Sequence, residues 1–249
     1  MGIDVYRTAL VTGASTGIGA QLVQRLTEGG LAVHAVARDE ERLKELADST
    51  GAVPHVLDLA DTTALEDLVS TLEVDVLANV AGVSRMGNIL GASRQDIDNM
   101  VEINLTSVLH LVRLLLPGMT ERDRGHIVNI SSIAGHYNFF GHTAYHATKA
   151  AVHQLSRQIR ADVLGRRIRV TEIAPGRVET EIFARNMGGT PEAIAEAQRT
   201  YFDGYESLTT SDVVNSIEFA LSAPPHVNLG LIEIMPTFQV PAGLTFERR

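Results

Sequence analysis

The sequence predicts an α/β fold: a doubly wound parallel sheet of about seven strands in one domain, with helices on both faces. Three observations predict it. Short apolar runs alternate regularly with helix-period patterns, which is the signature of strands joined by helical crossovers. The first apolar run, Thr8 to Val11, passes through a Gly-rich turn directly into a helix pattern. The length, 249 residues with 45% apolar and 20% charged, suits one large core over residues 1–249, without linker, repeat or low-complexity segment.

Composition narrows the function. Acidic residues outnumber basic ones, 30 to 21, and the net charge is −9, with no basic run. Nucleic acid is therefore not an expected partner, because phosphate neutralisation needs clustered Lys and Arg. No cysteine is present, which removes disulfides, thiolate nucleophiles and Cys-based zinc sites. The start of the chain has no signal-peptide layout, and the apolar stretch Val101 to Met119 is interrupted by Glu102, Asn104, His110 and Arg113. A soluble, cytoplasmic protein without a membrane span is expected.

Taken in order, the turn after the first strand carries Gly13, Ser15, Thr16, Gly17, Ile18 and Gly19, and the helix pattern follows at Leu22, Val23 and Leu26. Glycines let the backbone approach a ligand, and the free N–H groups of the helix start attract phosphate. The alternative is a tight turn that needs positive φ. The second strand is Ala32 to Ala37. An acidic residue at its end would grip the ribose hydroxyls of NAD, but uncharged Ala37 stands there and Arg38 follows. A guanidinium pairs with a 2′-phosphate, so NADP(H) is the expected cofactor. Otherwise Arg38 is a solvated charge opening a helix, and Asp39 beside it argues against the phosphate.

Val53 to Leu57 is the third strand. Asp58 after it is placed to accept from adenine, with Leu59 beside it, or else serves the turn before an Asp61–Thr62 helix cap. The fourth strand, Val74 to Asn79, ends in Val80, Ala81 and Gly82, whose small side chains leave room for a ligand. A polar loop then leads to a long helix at about Arg94 to Met119. Asn104 lies inside it, as a functional amide or a satisfied core one. The fifth strand, His126 to Ile130, ends in Ser131 and Ser132, and a helix from Tyr145 to about Leu164 puts Tyr145 and Lys149 on one face. The sixth strand, Arg167 to Ile173, ends near Pro175 and Gly176, followed by Val178 and Thr180. Residues 181–207, with Gly188 and Gly189 as hinge, form a lid or an ordinary surface hairpin. A helix at Ser211 to Ala223 and a seventh strand at Leu229 to Met235 complete the pattern.

This combination resembles the short-chain dehydrogenase/reductase family over essentially the whole length. The carrying residues are Thr12 to Gly19, Asp58, Asn79 to Gly82, Asn104, Ser132, Tyr145 to Lys149, and Pro175–Gly176. One departure is that the family's Asn-Asn-Ala-Gly reads Asn-Val-Ala-Gly here. A narrower similarity, to the NADP-dependent branch acting on serine and other 3-hydroxy acids, lies in Leu116 to Met119, Gly125 to Ile127, His226 to Asn228, Ile234 to Thr237 and Ala242 to Leu244.

The resemblance implies a Rossmann-type sheet and a catalytic set of Asn104, Ser132, Tyr145 and Lys149. The family places its serine thirteen residues before the tyrosine, which selects Ser132 and leaves Ser131 to support the strand end. Tyr145 then acts as acid in carbonyl reduction and base in alcohol oxidation. Phenols titrate near pH 10, so acting as base near neutrality needs about 4 kcal/mol of help, expected from Lys149 and the oxidised nicotinamide. Ser132 polarises the substrate oxygen. Asn104 holds a relay water, Lys149 reaches the nicotinamide ribose, Val178 meets the carboxamide and Thr180 the phosphates. The resemblance also places Gly13 to Gly19, Arg38, Asp58, Leu59, Asn79, Ala81, Gly82, Pro175 and Gly176 at the cofactor.

The implied substrate is a small polar hydroxy compound, aldehyde or ketone: a 3-hydroxy acid, serine-type compound or semialdehyde. Arg177, Arg185 and Arg85 are candidate anchors for an acid, with Arg185 on the lid preferred; the alternative is that each is a solvent charge. Ser84 to Met86 and His136 to Phe140 are expected to wall the pocket, and their aromatics keep a bulkier ketone open. A regulator that only senses NADP is a third reading. No metal is expected, since the spacing of His136, His142, His146 and His153 fits no metal pattern. Pairing through the two long helices into a homodimer or homotetramer is implied by the family.

Overall fold

Near-continuous apolar runs make strands that are buried on both faces. The computed structural model, which describes residues 3–186 and 190–240 apart from the side chains of Asp4, Arg185 and Asn186, contains seven strands, the central ones buried and the two edge strands partly exposed. They are β1 (Thr8–Thr12), β2 (Ala32–Ala37), β3 (Val53–Val56), β4 (Val76–Asn79), β5 (Gly125–Ile130), β6 (Ile168–Pro175) and β7 (Leu231–Ile234). All pair in parallel, in the order β3-β2-β1-β4-β5-β6-β7. This is the Rossmann-type sheet expected. The strand ends differ from those expected by at most two residues, and most at β4, β6 and β7.

The crossovers are α1 (Gly17–Glu28), α2 (Glu40–Thr50), α3 (Thr62–Ser70), α4 (Arg94–Val101), α5 (Ser107–Glu121) and α6 (Thr143–Asp162). After β6 come two short helices, α7 (Ile182–Asn186) and α8 (Pro191–Ala197), and then α9 (Thr210–Ser222). Strand residues alternate between faces, so the core has two halves. Ala9 and Val11 pack with Leu22, Leu26 and Ile217 from α1 and α9. Leu10 and Leu77 pack with Leu65, Leu111 and Ile159 from α3, α5 and α6. By length and composition alone the helical run 94–121 could span a bilayer. Here Val108, Leu111, Val112, Leu115 and Met119 fill the second half of the core.

The chain starts mid-sheet at β1, runs outward to β3, then returns to place β4 on the other side of β1. The strand order therefore reverses between β1 and β4. Crossovers leave a crevice at such a point, outside the carboxyl ends of the strands. The candidate site lies there.

Candidate active site and cofactor cleft

The turn after β1 is built for close approach. Gly13 and Gly17 have φ of +67° and +57°, which favours glycine. A Cβ on Gly13 would lie 2.8 Å from Ala81 Cα, and one on Gly19 only 2.2 Å from the Gly13 carbonyl oxygen. Thr12 Oγ1 accepts from the backbone N–H groups of Val80 and Ala81, both at 3.1 Å, and so ties the ends of β1 and β4 together. Thr16 has extended backbone and α1 begins at Gly17, presenting its first N–H groups to the crevice mouth. Thr180 packs beside Gly17.

Two cavities meet at Gly82. The first, about 330 Å³, is lined by Gly13, Ser15, Arg38, Asp58, Leu59 and Ala81 among others. Arg38 Nη1 stands 3.5 Å from Asp58. The other Asp58 oxygen accepts from Ala60 N–H at 3.1 Å, so this residue serves both the turn and the cavity. Asp39 caps α2 by accepting from Arg42 N–H and lines the first cavity beside Arg38. Asn79, expected at the cofactor, turns its side chain into the sheet. Its side chain donates to Asn129 at 2.8 Å, and Asn129 donates to Ser156 beneath α6. It braces β4 against β5 and lines neither cavity.

The second cavity, about 370 Å³, holds Ser132, Tyr145 and Lys149, together with Ile18, Pro175, Gly176, Val178 and Thr180. Ser132 caps the short turn Ile133–Gly135 and hydrogen-bonds the Tyr145 phenol. Lys149 Nζ donates to the Ile130 carbonyl at 2.8 Å and lies 5.7 Å from the Tyr145 ring centroid. Burial pulls the ammonium down to about 8, while the charge of Glu172 pulls the other way. Burial pushes the phenol up to about 12, against the Ser132 hydrogen bond. Desolvation sets this direction, and the lowering expected from Lys149 together with the oxidised nicotinamide acts against it. Ser131 braces the strand end through Glu172 and the Ile173 carbonyl.

Asn104 lies in a π turn, Glu102–Thr106, that joins α4 to α5 within the one long helix expected, Arg94–Glu121. Its side chain accepts from Val83 N–H at 2.8 Å and donates to the Val83 carbonyl and to Thr148 Oγ1. That amide is engaged by protein and lines neither cavity. It fixes the chain after β4 against α6, one residue from Lys149.

A cleft with a glycine turn at one end and a Ser–Tyr–Lys set at the other is the layout of a dinucleotide oxidoreductase. A family model described as short chain dehydrogenase matches residues 7–188. The chain belongs to the short-chain dehydrogenase/reductase family. Among its relatives is the NADP-dependent 3-hydroxy acid dehydrogenase YdfG of Escherichia coli K12, 36% identical over 96% of this chain and 99% of that one. Serine 3-dehydrogenase of Rhizobium radiobacter is 34% identical over 97% and 98%. A solved structure of the closed form of serine dehydrogenase complexed with NADP+ superposes with a TM-score of 0.92 at 36% identity, covering 97% of this chain and all of that one.

This short-chain dehydrogenase/reductase places its predicted pocket residues unevenly. Ser84, Phe139 and Phe140 line the second cavity. His136 and Tyr137 do not; they turn away to Glu172 and Glu233. Arg85 pairs with Asp96 at 3.2 Å outside the lining; the side chain of Arg185 and the expected hinge, Gly188 and Gly189, lie outside the described residues. Arg177 does line the cavity, with its guanidinium 4.5 Å from the Tyr205 ring centroid. The segment 181–207 reaches both cavities, through Ala184 and Ile194 at the first and Phe183 and Tyr201 at the second.

Sequence reading missed Arg42, whose Nη1 meets Glu181 at 2.9 Å beside the first cavity. It also missed His142 and His146 on the substrate wall and Gln239, which accepts from Arg177 N–H at 2.8 Å. Arg42 was visible as the second arginine of a short charged run. Gln239 had no local signal.

Proposed function

We propose that this oxidoreductase is NADP-dependent and moves a hydride between the nicotinamide and a small polar hydroxy compound or its carbonyl form, of the 3-hydroxy acid, serine or semialdehyde type. The observation that carries the reading is the Ser132–Tyr145–Lys149 set in a cavity that also contains Arg177. The names of the relatives support it. The cleft fits the cofactor: Gly13 and Gly19 let the turn pack tightly against Ala81 and against itself at the start of α1, and Arg38 lines the cavity where a 2′-phosphate would arrive.

Bound NADP(H) supplies or accepts the hydride. Ser132 Oγ donates to the substrate oxygen and stabilises charge developing there. Tyr145 Oη gives that oxygen its proton in reduction and takes it in oxidation. Lys149, as a cation, holds the ribose and favours ionised Tyr145. Asn104 keeps the Val83 segment and Thr148 in register with Lys149 and supports proton relay from that position. Lys149 is cationic below about pH 8 and neutral above it. The kcat/KM for reduction should therefore fall as pH rises through about 8. A profile flat from pH 6 to 10 refutes this role.

The deciding experiment follows NADPH absorbance across a panel of semialdehydes, hydroxy acids and ketones. Turnover of acidic or serine-type compounds is expected, and turnover only of bulky neutral ketones overturns the assignment. A second reading, a bulkier ketone, is favoured by the aromatic wall of Phe139, Phe140, Phe183 and Tyr201. Arg177 separates the two. A charge-assisted hydrogen bond is worth about 1.5–3 kcal/mol, so Arg177→Ala should raise KM for an acidic substrate roughly 10- to 100-fold and leave a neutral ketone unchanged. Arg185→Ala in the same assay tests the lid arginine. Pairing of copies through α5 and α6 is part of the proposal. Leu109 is exposed on α5, whereas Val108, Val112 and Val152 are buried in the core. Solution mass measurement checks it.

A further inference from the structure

We infer that His136, His153 and Glu172 form a binding site for a first-row transition-metal dication of the Zn2+ type, on the sheet face behind the catalytic serine. Neither histidine nor Glu172 lines the cleft, so the site is separate from the one described above.

The sheet places the carboxylate and the helix places the imidazoles. Glu172 lies in β6, and its neighbour in register on β5 is Asn129, which meets Ser156 of α6. That face is therefore the one α6 covers, and His153 reaches down from α6. His136 comes from the loop after β5. Glu172 is 1% exposed. One of its oxygens meets His136 Nε2 at 2.9 Å and also accepts from Ser131; the other meets His153 Nδ1 at 2.7 Å. The two imidazole rings stand edge to face, 4.2 Å between centroids.

Two imidazoles and one carboxylate are the ligand set of a three-ligand zinc centre with an open position. The three donor atoms lie within 4.8 Å of one another, and this is the one such cluster of three among the described residues. Zinc sits about 2.0–2.2 Å from each ligand, so small shifts of the rings close the set around an ion. Ser131 already orients the carboxylate by donating to the oxygen that meets His136, as an outer hydrogen bond does in metal sites. The imidazoles are the exposed side, with His136 at 14% and His153 at 23% against 1% for Glu172, so an ion has an entry path and a position open to solvent.

Charge points the same way. Ala174 pairs in register with Glu233, and Glu172 lies two residues before Ala174, so Glu233 shares this face. Tyr137 donates to Glu233 at 3.3 Å. Two carboxylates thus face two imidazoles and a phenol, and the cation that acts on Glu172 is Lys149. The two carboxylates place negative charge on this face, which favours a cation beside the imidazoles.

Calorimetric titration of the full chain with Zn2+ tests the site, with Co2+ visible absorption reporting the ligand set. One ion per chain is expected, with intense bands of low-coordinate Co2+. His153→Gln should weaken Zn2+ binding at least tenfold, and Glu172→Gln likewise. His34→Gln, in the His34–His55 pair at the sheet edge, should change nothing. Because Glu172 is buried, retained NADPH binding and thermal unfolding are the check on its variant, and the variant at the less buried His153 keeps the test open if that one misfolds. Absence of Zn2+ binding, or equal binding by parent and His153→Gln, overturns the site. None of these readouts needs turnover, so the metal site and the substrate assignment fail separately.

Discussion

Replacing Tyr145 with Phe should lower kcat/KM about 10³-fold while NADPH binding stays within about threefold of the parent. A positioned acid or base contributes roughly 10²–10⁴-fold, and Tyr145 Oη is the proton-bearing group that meets Ser132 in the cavity. The substitution keeps the ring and removes one hydroxyl. Ser132 Oγ still accepts from Ala134 N–H at 3.1 Å, so the short turn it caps survives. Loss of the hydroxyl leaves little unsatisfied, and the melting temperature should move by no more than a few degrees. Ser132→Ala and the double variant should not multiply, because the two groups act on one oxygen. Stopped-flow and steady-state absorbance at the nicotinamide band read both quantities. Turnover within tenfold of the parent removes Tyr145 as the acid and revives the reading of a protein that only binds NADP.

That result follows from features that were legible because they are local. Tyr145 and Lys149 are four residues apart in one helix, and strand–turn–helix around Gly13 to Gly19 is a contiguous pattern. What failed was orientation. β5 and β6 are buried along their whole lengths, so their sequences carry no in–out alternation. Nothing in the order of residues says that Glu172 faces α6, or that Asn79 turns its amide to Asn129 and away from the cleft. The π turn at Asn104 is hidden for a similar reason. Its extra residue is held by Val83, Thr148 and the Ser107 hydroxyl on the Ile103 carbonyl, and two of those partners come from other segments. The histidine spacing offered no metal set because the third ligand stands on another strand. The direction of the Tyr145 shift needed burial, which a motif does not report.

Arg38→Ala should raise the Kd for NADPH about 10- to 100-fold and leave that for NADH within about twofold. In the free protein Arg38 has little to lose. Its contact with Asp58 is 3.5 Å long, with side chains 63% and 46% exposed, and exposed pairs are worth about 0–1 kcal/mol. A 2′-phosphate offers a doubly charged, bidentate partner, and hydrogen bonds to charged groups are worth about 1.5–3 kcal/mol. The phosphate therefore wins the guanidinium from Asp58, and the difference is the tenfold to hundredfold stated. NADH has no group at that position, and Ala37 brings neither attraction nor repulsion to its ribose. Arg42 is the competing cation in the same cavity. Both oxygens of Glu181 hold its Nη1, at 2.9 and 3.2 Å, and it is bound to Asp39 as well. Releasing it costs more, so Arg42→Ala should weaken NADPH less than Arg38→Ala does. Fluorescence titration with both nucleotides distinguishes the outcomes. Equal losses for NADPH and NADH would show that Arg38 serves the adenine or the fold, and a larger effect at Arg42 would move the phosphate site one helical turn along α2.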